Sequence, residues 1–412
     1  MKQYPVVIIG GGMAGASLAL ALANAGIESA VFEAFTPESN AQPGFDDRTV
    51  ALSAASLNIL NKLGLERDLF SVAAPIKSIH VSDQGHCGFA RIDAKECGVP
   101  ALGAVIENWQ LGKTLNQAIK KRALIDYRAP AKVVSIEQSA NEATLRIEIE
   151  SGTQDVKAGL VVLADGARSP LRQQLHIDAQ VNDYEKSAIV CNLTTQIPHQ
   201  NCAYERFTKD GPLALLPLTH NRMALVWSKP TKQAEAMLEL DESTFCHRLE
   251  ETFGARLGRI TKVGVRKTFP LIQLKAETLF RGRCVLIGNA AQSLHPIAGQ
   301  GFNLGLRDVA ELTQVLASVK QSCRSDHKAL MWQIGSHQVL RQYQRTRQAD
   351  REQTLWVTES LARLFSNQWL PLSVSRNLLL KVMDITPVAK NVFANQAMGF
   401  GFNNSQMASH EE

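Results

Sequence analysis

The sequence predicts an α/β protein, α+β overall. We expect a Rossmann-like domain with a parallel sheet, an inserted antiparallel-sheet domain and helices towards the C-terminal end. Three observations predict this arrangement. A strand, a glycine-rich turn, a helix and a second strand succeed one another within the first 33 residues. Polar and apolar residues alternate over 131–163 and 188–229, as is typical of antiparallel strands. Residues 328–400 carry helical patterns and no strand signal.

Composition narrows the class of protein. The chain has 412 residues, of which 45% are hydrophobic and 20% charged, with a net charge of +5, and this excludes collagenous, disordered and disulfide-scaffold proteins. No apolar run is long enough for a spanning helix, and residues 1–5 leave no room for a signal peptide. The seven scattered cysteines indicate reduced thiols. We therefore expect a soluble, cytoplasmic protein, and without a basic block we expect no nucleic-acid partner.

The first predicted unit is βαβ. Residues 4–9, YPVVII, form a short apolar run of the kind that is buried on both faces of a parallel sheet. GGGMAG at 10–15 follows, and an Ala/Leu-rich helix then ends at Gly26. Residues 29–32 form the second strand, which leads into Glu33. This order predicts a parallel, right-handed crossover.

Later elements are predicted from periodicity. A helix is expected over 50–63, after a polar loop, and an amphipathic helix over 241–257 interrupts the antiparallel region. A buried-type strand returns at 284–287, and a glycine-rich loop then leads into a helix over 302–316. The parallel sheet is therefore expected to be discontinuous in sequence.

The glycine cluster at the first turn indicates dinucleotide binding. Gly10 permits a tight turn, Gly12 lets the backbone approach a pyrophosphate, and Gly15 allows the helix to pack closely on the strand. The start of the helix presents unpaired N–H groups to the phosphates. Glu33 is placed to accept hydrogen bonds from a ribose, and its charge disfavours a 2′-phosphate. These residues leave FAD and NAD open.

Two later segments also place polar loops after apolar strands. Residues 160–170 read LVVLADGARSP, and residues 284–308 read CVLIGNAAQSLHPIAGQGFNLGLRD. The carboxyl ends of parallel strands meet at one edge of a sheet, so three such loops can converge on a single extended cofactor.

These segments resemble the aromatic-ring hydroxylases, a family of single-component flavin monooxygenases that carries GxGxxG, a central DG and a late GD followed by Pro and GQG. The resemblance runs from residue 6 to about residue 350. GGGMAGASLALAL, DDRTVALS, ADGARS, AYERFTKDGPLALLPL and LRQYQRTRQADRE resemble the ubiquinone-biosynthesis branch, and within it the hydroxylases of 2-octaprenyl-6-methoxyphenol.

The resemblance implies FAD as cofactor and NAD(P)H as co-substrate. Gly10, Gly12, Gly15 and Glu33 would hold the ADP half of FAD, and Arg48 would lie near its ribityl and pyrophosphate region. Asp165 and Gly166 would serve FAD and the transient passage of NAD(P)H. The late loop would wrap the ribityl chain and the flavin ring through Gly288, Asn289, Ala290, Gly299, Gln300, Gly301 and Asn303.

Two positions depart from the family pattern. The aspartate of the late GD pair is Asn289 here, whose amide can still donate and accept hydrogen bonds, so weaker FAD retention is a possible consequence. The family's RxxLxxxL helix corresponds to residues 108–115, where the usual flavin-contacting arginine is absent.

The implied chemistry is carried by the cofactor. NAD(P)H would reduce FAD, O₂ would add at C4a, and the hydroperoxide would transfer one oxygen to an electron-rich phenol. Backbone N–H groups over residues 296–301 would stabilise charge at flavin N1/O2, and Pro296 would form a wall above the reacting face. His295 would either act as base for the phenol proton or only shape the loop. No spacing indicates a metal site.

The substrate side is predicted from the antiparallel region. Arg206, Phe207, Leu215 and Pro217 are candidates to contact substrate, while an exposed arginine and core side chains are the alternative interpretation. The expected partners are a polyprenylated phenol and O₂, and other ubiquinone-biosynthesis proteins are further candidates. Residues 370–393 combine apolar runs with basic residues, as an interfacial helix at the inner face of the membrane would, but a helical lid packed on the FAD domain is the favoured interpretation. The predicted division is an FAD-binding domain over 1–75, 105–178 and 270–335, a substrate domain over 76–104 and 179–269, and a helical segment over 336–412.

Alternative functions stay open on the sequence. The nearest alternative is the same chemistry on another ring position or on a smaller phenol. A flavin reductase or dehydrogenase would keep residues 10–33 without oxygen transfer, and Asn289 gives some weight to a non-catalytic member of a biosynthetic complex.

Overall fold

A computed structural model of the protein describes residues 1–36, 48–85, 88–293, 300–323, 326–366 and 398–399. The strands within these residues, in chain order, are β1 Lys2–Ile9, β2 Ser29–Phe32, β3 Thr49–Ser53, β4 Ala74–Ile76, β5 Ser78–Asp83, β6 Phe89–Asp93, β7 Gly103–Glu107, β8 Ile125–Arg128, β9 Lys132–Gln138, β10 Ala143–Ile149, β11 Gly152–Leu163, β12 Ala179–Thr195, β13 Cys202–Phe207, β14 Pro212–Pro217, β15 Arg222–Pro230, β16 Ile260–Val263, β17 Lys267–Ala276, β18 Phe280–Arg281, β19 Cys284–Leu286 and β20 Gln292–Ser293.

The helices are α1 Met13–Asn24, α2 Ala54–Lys62, α3 Glu66–Phe70, α4 Asn108–Lys120, α5 Pro170–Gln174, α6 Thr231–Leu238, α7 Glu242–Phe253, α8 Gln300–Cys323, α9 His327–Gln333 and α10 His337–Ser366. The helix predicted at 302–316 is therefore longer at both ends. Of the predicted C-terminal helical segment, residues 367–397 and 400–412 lie outside the described residues. Within the described part, no helix is both long and apolar enough to cross a membrane.

An eight-stranded sheet forms the centre of the part of the molecule that the sequence predicts to bind a cofactor, called the cofactor-binding part below. Strands β19, β11, β1, β2 and β8 lie side by side in parallel, with β18 at one edge. The apolar runs predicted at 4–9, 29–32 and 284–287 are confirmed as strands of this sheet. They are apolar because both faces of this sheet are covered, which buries every residue of β2 and β19.

The alternating pattern over 131–163 forms antiparallel strands, as predicted, but they extend the parallel sheet. Strands β9 and β10 pair with each other, and β10 pairs with the first half of β11. The second half of β11 continues between β1 and β19. One long strand thus belongs to an antiparallel meander at its start and to the parallel sheet at its end.

The helix predicted over 50–63 begins later than predicted. Residues 49–53 form β3, which pairs with β7 in a three-stranded sheet with β4, and α2 starts at Ala54. Backbone pairing with β7, a partner about 55 residues away, overrides the local helical pattern. Ser53 caps α2, since its Oγ accepts a hydrogen bond from the Ser56 N–H at 3.2 Å.

A nine-stranded, largely antiparallel sheet forms the second part of the molecule. Its order is β20-β17-β12-β15-β14-β13-β5-β6, with β16 beside β12. One face packs against α6 and α7 through a cluster that contains Leu215, Trp227, Phe245 and Leu249. The amphipathic helix predicted over 241–257 is α7. It buries its apolar stripe here.

The opposite face of the nine-stranded sheet meets the three-stranded sheet and α2. A second cluster joins Ala54, Ile76 and Val105 to residues of the nine-stranded sheet, among them Ala203 and Ala224. This contact turns that face of the nine-stranded sheet towards the three-stranded sheet and α2, most of whose residues lie in the predicted FAD-binding domain.

Candidate functional site

The three polar loops predicted to converge do so at the carboxyl edge of the parallel sheet. Strand β11 lies between β1 and β19, so the ends of all three strands are adjacent. The Ala164 N–H donates to the Ile9 carbonyl at 2.8 Å, and the Ile287 N–H donates to the Leu163 carbonyl at 3.1 Å. Sheet pairing therefore brings segments more than 120 residues apart to one site.

The glycines of the first turn leave no room for side chains at two positions. Gly10 has φ +99°, and a Cβ there would lie 2.6 Å from the Ala164 carbonyl oxygen. A Cβ on Gly15 would lie 2.0 Å from the Gly10 carbonyl oxygen. By contrast, a Cβ on Gly12 would meet no atom within 4 Å, so this backbone borders open space. Gly10 and Gly15 shape the turn, and Gly12 leaves it open to a ligand.

A small cleft lies beside this turn. Helix α1 begins at its edge, and its N-cap, Gly12, supplies no side-chain hydrogen bond, so the first N–H groups of the helix are available to a phosphate. Both α1 and α4 contribute to the cleft, which is lined by Gly11, Gly12, Met13, Ala16, Gly112, Leu115 and Asn116.

Glu33 is buried at the end of β2 and is fixed by backbone hydrogen bonds. It is 7% exposed, and its two carboxylate oxygens accept from the Gly11 N–H at 2.6 Å and the Phe35 N–H at 3.0 Å. Each oxygen retains acceptor capacity for a ribose hydroxyl. Tyr127 on β8 lies against Gly11, and burial, with the Glu33 charge second, raises its pKa.

Asp165 offers a buried acceptor without a partner. Its Oδ2 accepts from the Ser169 hydroxyl at 2.7 Å, while its Oδ1 is inaccessible and makes no hydrogen bond among the described residues. Burial raises the pKa of this carboxyl. Gly166 follows with φ +92° and turns the chain towards α5. An unpaired buried oxygen at a cofactor edge is a natural partner for a ligand hydroxyl.

The third loop lies against the first helix. A Cβ on Gly288, which has φ +56°, would come within 3.1 Å of the Ala14 Cβ. The Asn289 side chain is exposed, whereas Ala290 is buried and its carbonyl accepts from the Arg172 guanidinium at 3.0 Å. The loop predicted to wrap the ribityl chain therefore starts beside the dinucleotide turn.

A buried ionic network holds this loop from behind. Asp308 on α8 accepts from the Gly288 N–H at 2.9 Å through Oδ2 and from Arg347 on α10 at 2.8 Å through Oδ1. Arg347 also pairs with Asp350, which in turn pairs with Arg307. Asp308 and Arg347 are 2% and 1% exposed. The sequence resemblance included these residues without giving them a role, and the structure shows that they position the loop.

Arg48 and Asn303 connect elements around the site. The Arg48 carbonyl accepts from the Asn108 N–H at 2.8 Å, and its guanidinium lies 4.7 Å from the centre of the Phe269 ring. The Asn303 amide is 2% exposed; it accepts from the Ser53 N–H at 2.9 Å and donates to the Ala51 carbonyl at 2.9 Å. Asn303 thereby ties the start of α8 to β3. A direct cofactor contact by either residue stays a prediction.

The remaining residues predicted to contact the flavin belong to the late loop and the start of α8. His295, Pro296 and Gly299 lie outside the described residues. Gln300 and Gly301 begin α8, and a Cβ on Gly301 would meet no atom within 4 Å.

The four substrate-side candidates lie on β13 and β14. Leu215 packs under α6 and α7. Arg206 shares that face and donates to the Ser82 hydroxyl at 3.4 Å, and Pro217 is buried opposite Met223. Phe207 is on the other face, in a small cluster with Val81 and Ala90. Their contact with substrate stays a prediction.

The described residues fit FAD. The groups that would hold it are the cleft at Gly12, the N–H groups at the start of α1, the ribose acceptor Glu33 and the unpaired Asp165 oxygen, and they follow the ends of the parallel strands β1, β2 and β11. The sequence pointed to α4 only through the family's RxxLxxxL pattern at 108–115, and it did not single out Gly112 and Asn116. Sequence reasoning also missed Arg172 and Asp308, although both lie in or next to the segments it singled out. No group of three or more His, Cys, Asp or Glu in the described part could hold a metal ion.

The fold and the site define a flavoprotein of the dinucleotide-binding class, and comparison with known proteins agrees. A family model described as FAD binding domain matches residues 3–346. The chain is 33% identical over 398 residues to ubiquinone hydroxylase UbiL of Rhodospirillum rubrum, covering 97% of this chain and 90% of the relative. It is 31% identical over 404 residues to 3-demethoxyubiquinol 3-hydroxylase of Escherichia coli, covering 96% and 98%.

A solved structure, p-nitrophenol 4-monooxygenase PnpA from Pseudomonas putida DLL-E4, has the same fold. Its TM-score is 0.79 at 18% identity, with 97% of this chain and 99% of that chain covered. The chain belongs to the FAD-binding family of these hydroxylases. It is an FAD-dependent monooxygenase, so the family, the fold class and the cofactor predicted from the sequence are confirmed.

Proposed function

We propose that the protein hydroxylates the ring of a polyprenylated phenol in ubiquinone biosynthesis, with NAD(P)H and O₂ as co-substrates. The observation that carries the proposal is the sheet face turned towards the cofactor-binding part. On it the side chains of Val190, Ala214, Leu216 and Val226 are apolar yet partly exposed, whereas their strand neighbours under α6 and α7 are buried. An apolar accessible face suits a hydrophobic aromatic ligand. The names of the relatives support the same pathway.

Different residues of the chain have different roles in the proposed reaction. Reduced FAD would supply activated oxygen for transfer to the ring. Gly12 and the start of α1 would hold the pyrophosphate, and Glu33 the ribose. Asp165 would accept a hydrogen bond from a hydroxyl of the cofactor or of transiently bound NAD(P)H. The apolar sheet face would exclude water from the reacting ring. No second GxGxxG turn occurs in the sequence, so NAD(P)H would bind transiently.

The ring position is the finer part of the proposal. Resemblance to the hydroxylases of 2-octaprenyl-6-methoxyphenol favours that substrate, and another ring position or a smaller phenol is the alternative. Lipid extraction from a strain that lacks the protein should show an accumulated prenylated phenol one hydroxyl short, and re-expression of the wild-type chain should remove it. An unchanged quinone pool in that strain would contradict the pathway.

Oxygen incorporation separates this function from the other classes. With ¹⁸O₂, the purified FAD-loaded protein should place one labelled oxygen in the product for each phenol consumed. A flavin reductase would oxidise NAD(P)H without labelled product, and a non-catalytic member of a complex would fail to quench FAD fluorescence on titration. Peripheral membrane contact through residues 370–393, and binding of other pathway proteins, are tested by sedimentation with anionic liposomes and by co-purification.

A further inference from the structure

Strand β13 carries a carboxylate on the accessible face of the nine-stranded sheet. Glu205 on β13 lies opposite Ala214 on β14, which lies opposite Val226 on β15, and on its other side it lies beside Val81 on β5. Directly paired residues share a face of a sheet, so Glu205 belongs to the apolar accessible face and not to the face under α6 and α7. On the described strands β13, β14 and β15, no other Asp or Glu shares this face.

The environment of Glu205 is mostly apolar and contains few charges. Its side chain stays partly accessible, yet burial alone raises its pKa to about 7. The strands packed against it bring few charges to this face: β14 brings none, and β5 brings Asp83, two residues beyond Val81. Arg222 on the same face is paired with Glu107, through hydrogen bonds of 3.0 and 2.9 Å.

Glu205 has no ionic partner among the residues that the structure describes, and a desolvated carboxylate without one requires a ligand or a proton. The apolar neighbours Val81, Ala214 and Val226 provide neither. A phenol brings a hydroxyl that can donate to the carboxylate, and its ring matches the apolar residues alongside.

We propose that Glu205 contacts the substrate phenol, accepts a hydrogen bond from its hydroxyl and takes that proton as the ring is oxygenated. The inference rests on the proposed function and gives it a proton acceptor. The O–H bond breaks, its electron pair stays on the phenol oxygen, and the Glu205 carboxylate becomes a carboxylic acid. No oxidant or reductant enters this step. The substrate class is thereby a phenol with a free hydroxyl, bound in its neutral form.

The test compares two probes that differ only in the donor hydroxyl. These are 2-methoxy-6-geranylphenol and its methyl ether, 1,2-dimethoxy-3-geranylbenzene, whose dissociation constants are measured by equilibrium dialysis against the FAD-loaded protein. Buffers run from mildly acidic to mildly alkaline, across the pKa of Glu205, where the phenol stays neutral because phenols ionise near pH ~10. Glu205→Gln keeps the shape and removes the charge. Glu235→Gln, on the exposed side of α6, is the matched control.

In the wild-type protein, the preference for the phenol over the ether should grow as the pH rises through about 7, because Glu205 becomes ionised. Glu205→Gln should lower that preference about tenfold and remove its pH dependence, since a neutral acceptor forms a weaker hydrogen bond. Glu235→Gln should match the wild type. An equal preference in Glu205→Gln, or none in the wild type, would overturn the inference.

The outcome is separable from that of the proposed function. A wild-type protein that shows the preference but incorporates no ¹⁸O would contradict the hydroxylase proposal and leave the Glu205 contact standing. A protein that incorporates ¹⁸O equally well with Glu205→Gln, with an unchanged pH profile of kcat/KM, would exclude Glu205 as proton acceptor and leave the hydroxylase in place.

Discussion

At the residue scale, the three glycines of the first turn have different roles. Gly10 and Gly15 face backbone atoms at distances that no Cβ can occupy, whereas Gly12 faces the open cleft. The first two are needed for folding of the turn, and the third for access of the cofactor. A single GxGxxG pattern therefore combines a folding requirement with a binding requirement.

This difference gives a test with a built-in control. Gly15→Ala should lower the free energy of unfolding of the FAD-free protein by about 1–3 kcal/mol, because its Cβ collides with the Gly10 carbonyl. Gly12→Ala should leave that stability nearly unchanged but raise the dissociation constant for FAD about tenfold. Urea denaturation and FAD fluorescence titration give the two values. Equal loss of stability in both variants would show that Gly12 also has a packing role.

At the scale of elements, α8 and α10 fix the late cofactor loop through charge. Asp308 contacts the Gly288 N–H, the Gln292 amide and Arg347 within the protein interior. Such a network stabilises one loop position because each buried group needs its partner. Asp308 on α8 and Arg347 on α10 thus hold the late loop from behind.

Asp308→Asn should therefore lower the free energy of unfolding by about 3 kcal/mol, since it weakens the pairing of a buried arginine. We also expect weaker FAD binding, because the Gly288 backbone loses its anchor. Asp155→Asn removes the carboxylate of an exposed pair with Arg146, and a change within ~1 kcal/mol is expected there. Chemical denaturation of both variants measures the contrast, and similar losses would argue against the network.

At the scale of the whole molecule, an ion pair joins the two large parts. Arg222 on β15 makes two hydrogen bonds with Glu107, the last residue of β7, next to the shared apolar cluster. The nine-stranded sheet and the three-stranded sheet that contains β7 are thereby held in a fixed relative position. A shift of this contact would change the distance between ring and cofactor.

Arg222→Gln should loosen this junction more than it destabilises either part. We expect a loss of about 1 kcal/mol in stability, because the pair is partly exposed and therefore screened. Amide exchange should quicken selectively in β7 and β15. Lys229→Met breaks an ion pair with Asp210 inside the nine-stranded sheet alone and should leave exchange in β7 unchanged. Uniform acceleration across both parts in Arg222→Gln would contradict a junction role.

The local sequence pattern was sufficient to predict the βαβ unit with its glycines and Glu33. It was also sufficient to predict that three polar loops follow apolar strands. Apolar runs that are buried on both faces and glycines in tight turns are dictated by near neighbours in sequence, so the sequence alone determines them. The resemblance built on these segments also determined the family and the cofactor.

Only the tertiary structure decided the rest. Residues 49–53 form a strand because β7 is available to pair with them, and Asp308 gains its role from an arginine 39 residues later. Glu205 stands next to a residue singled out from the sequence, Arg206, but on the opposite face. Which face looks towards the cofactor depends on the packing of α6 and α7 against the other side, and that packing comes from contacts distant in sequence.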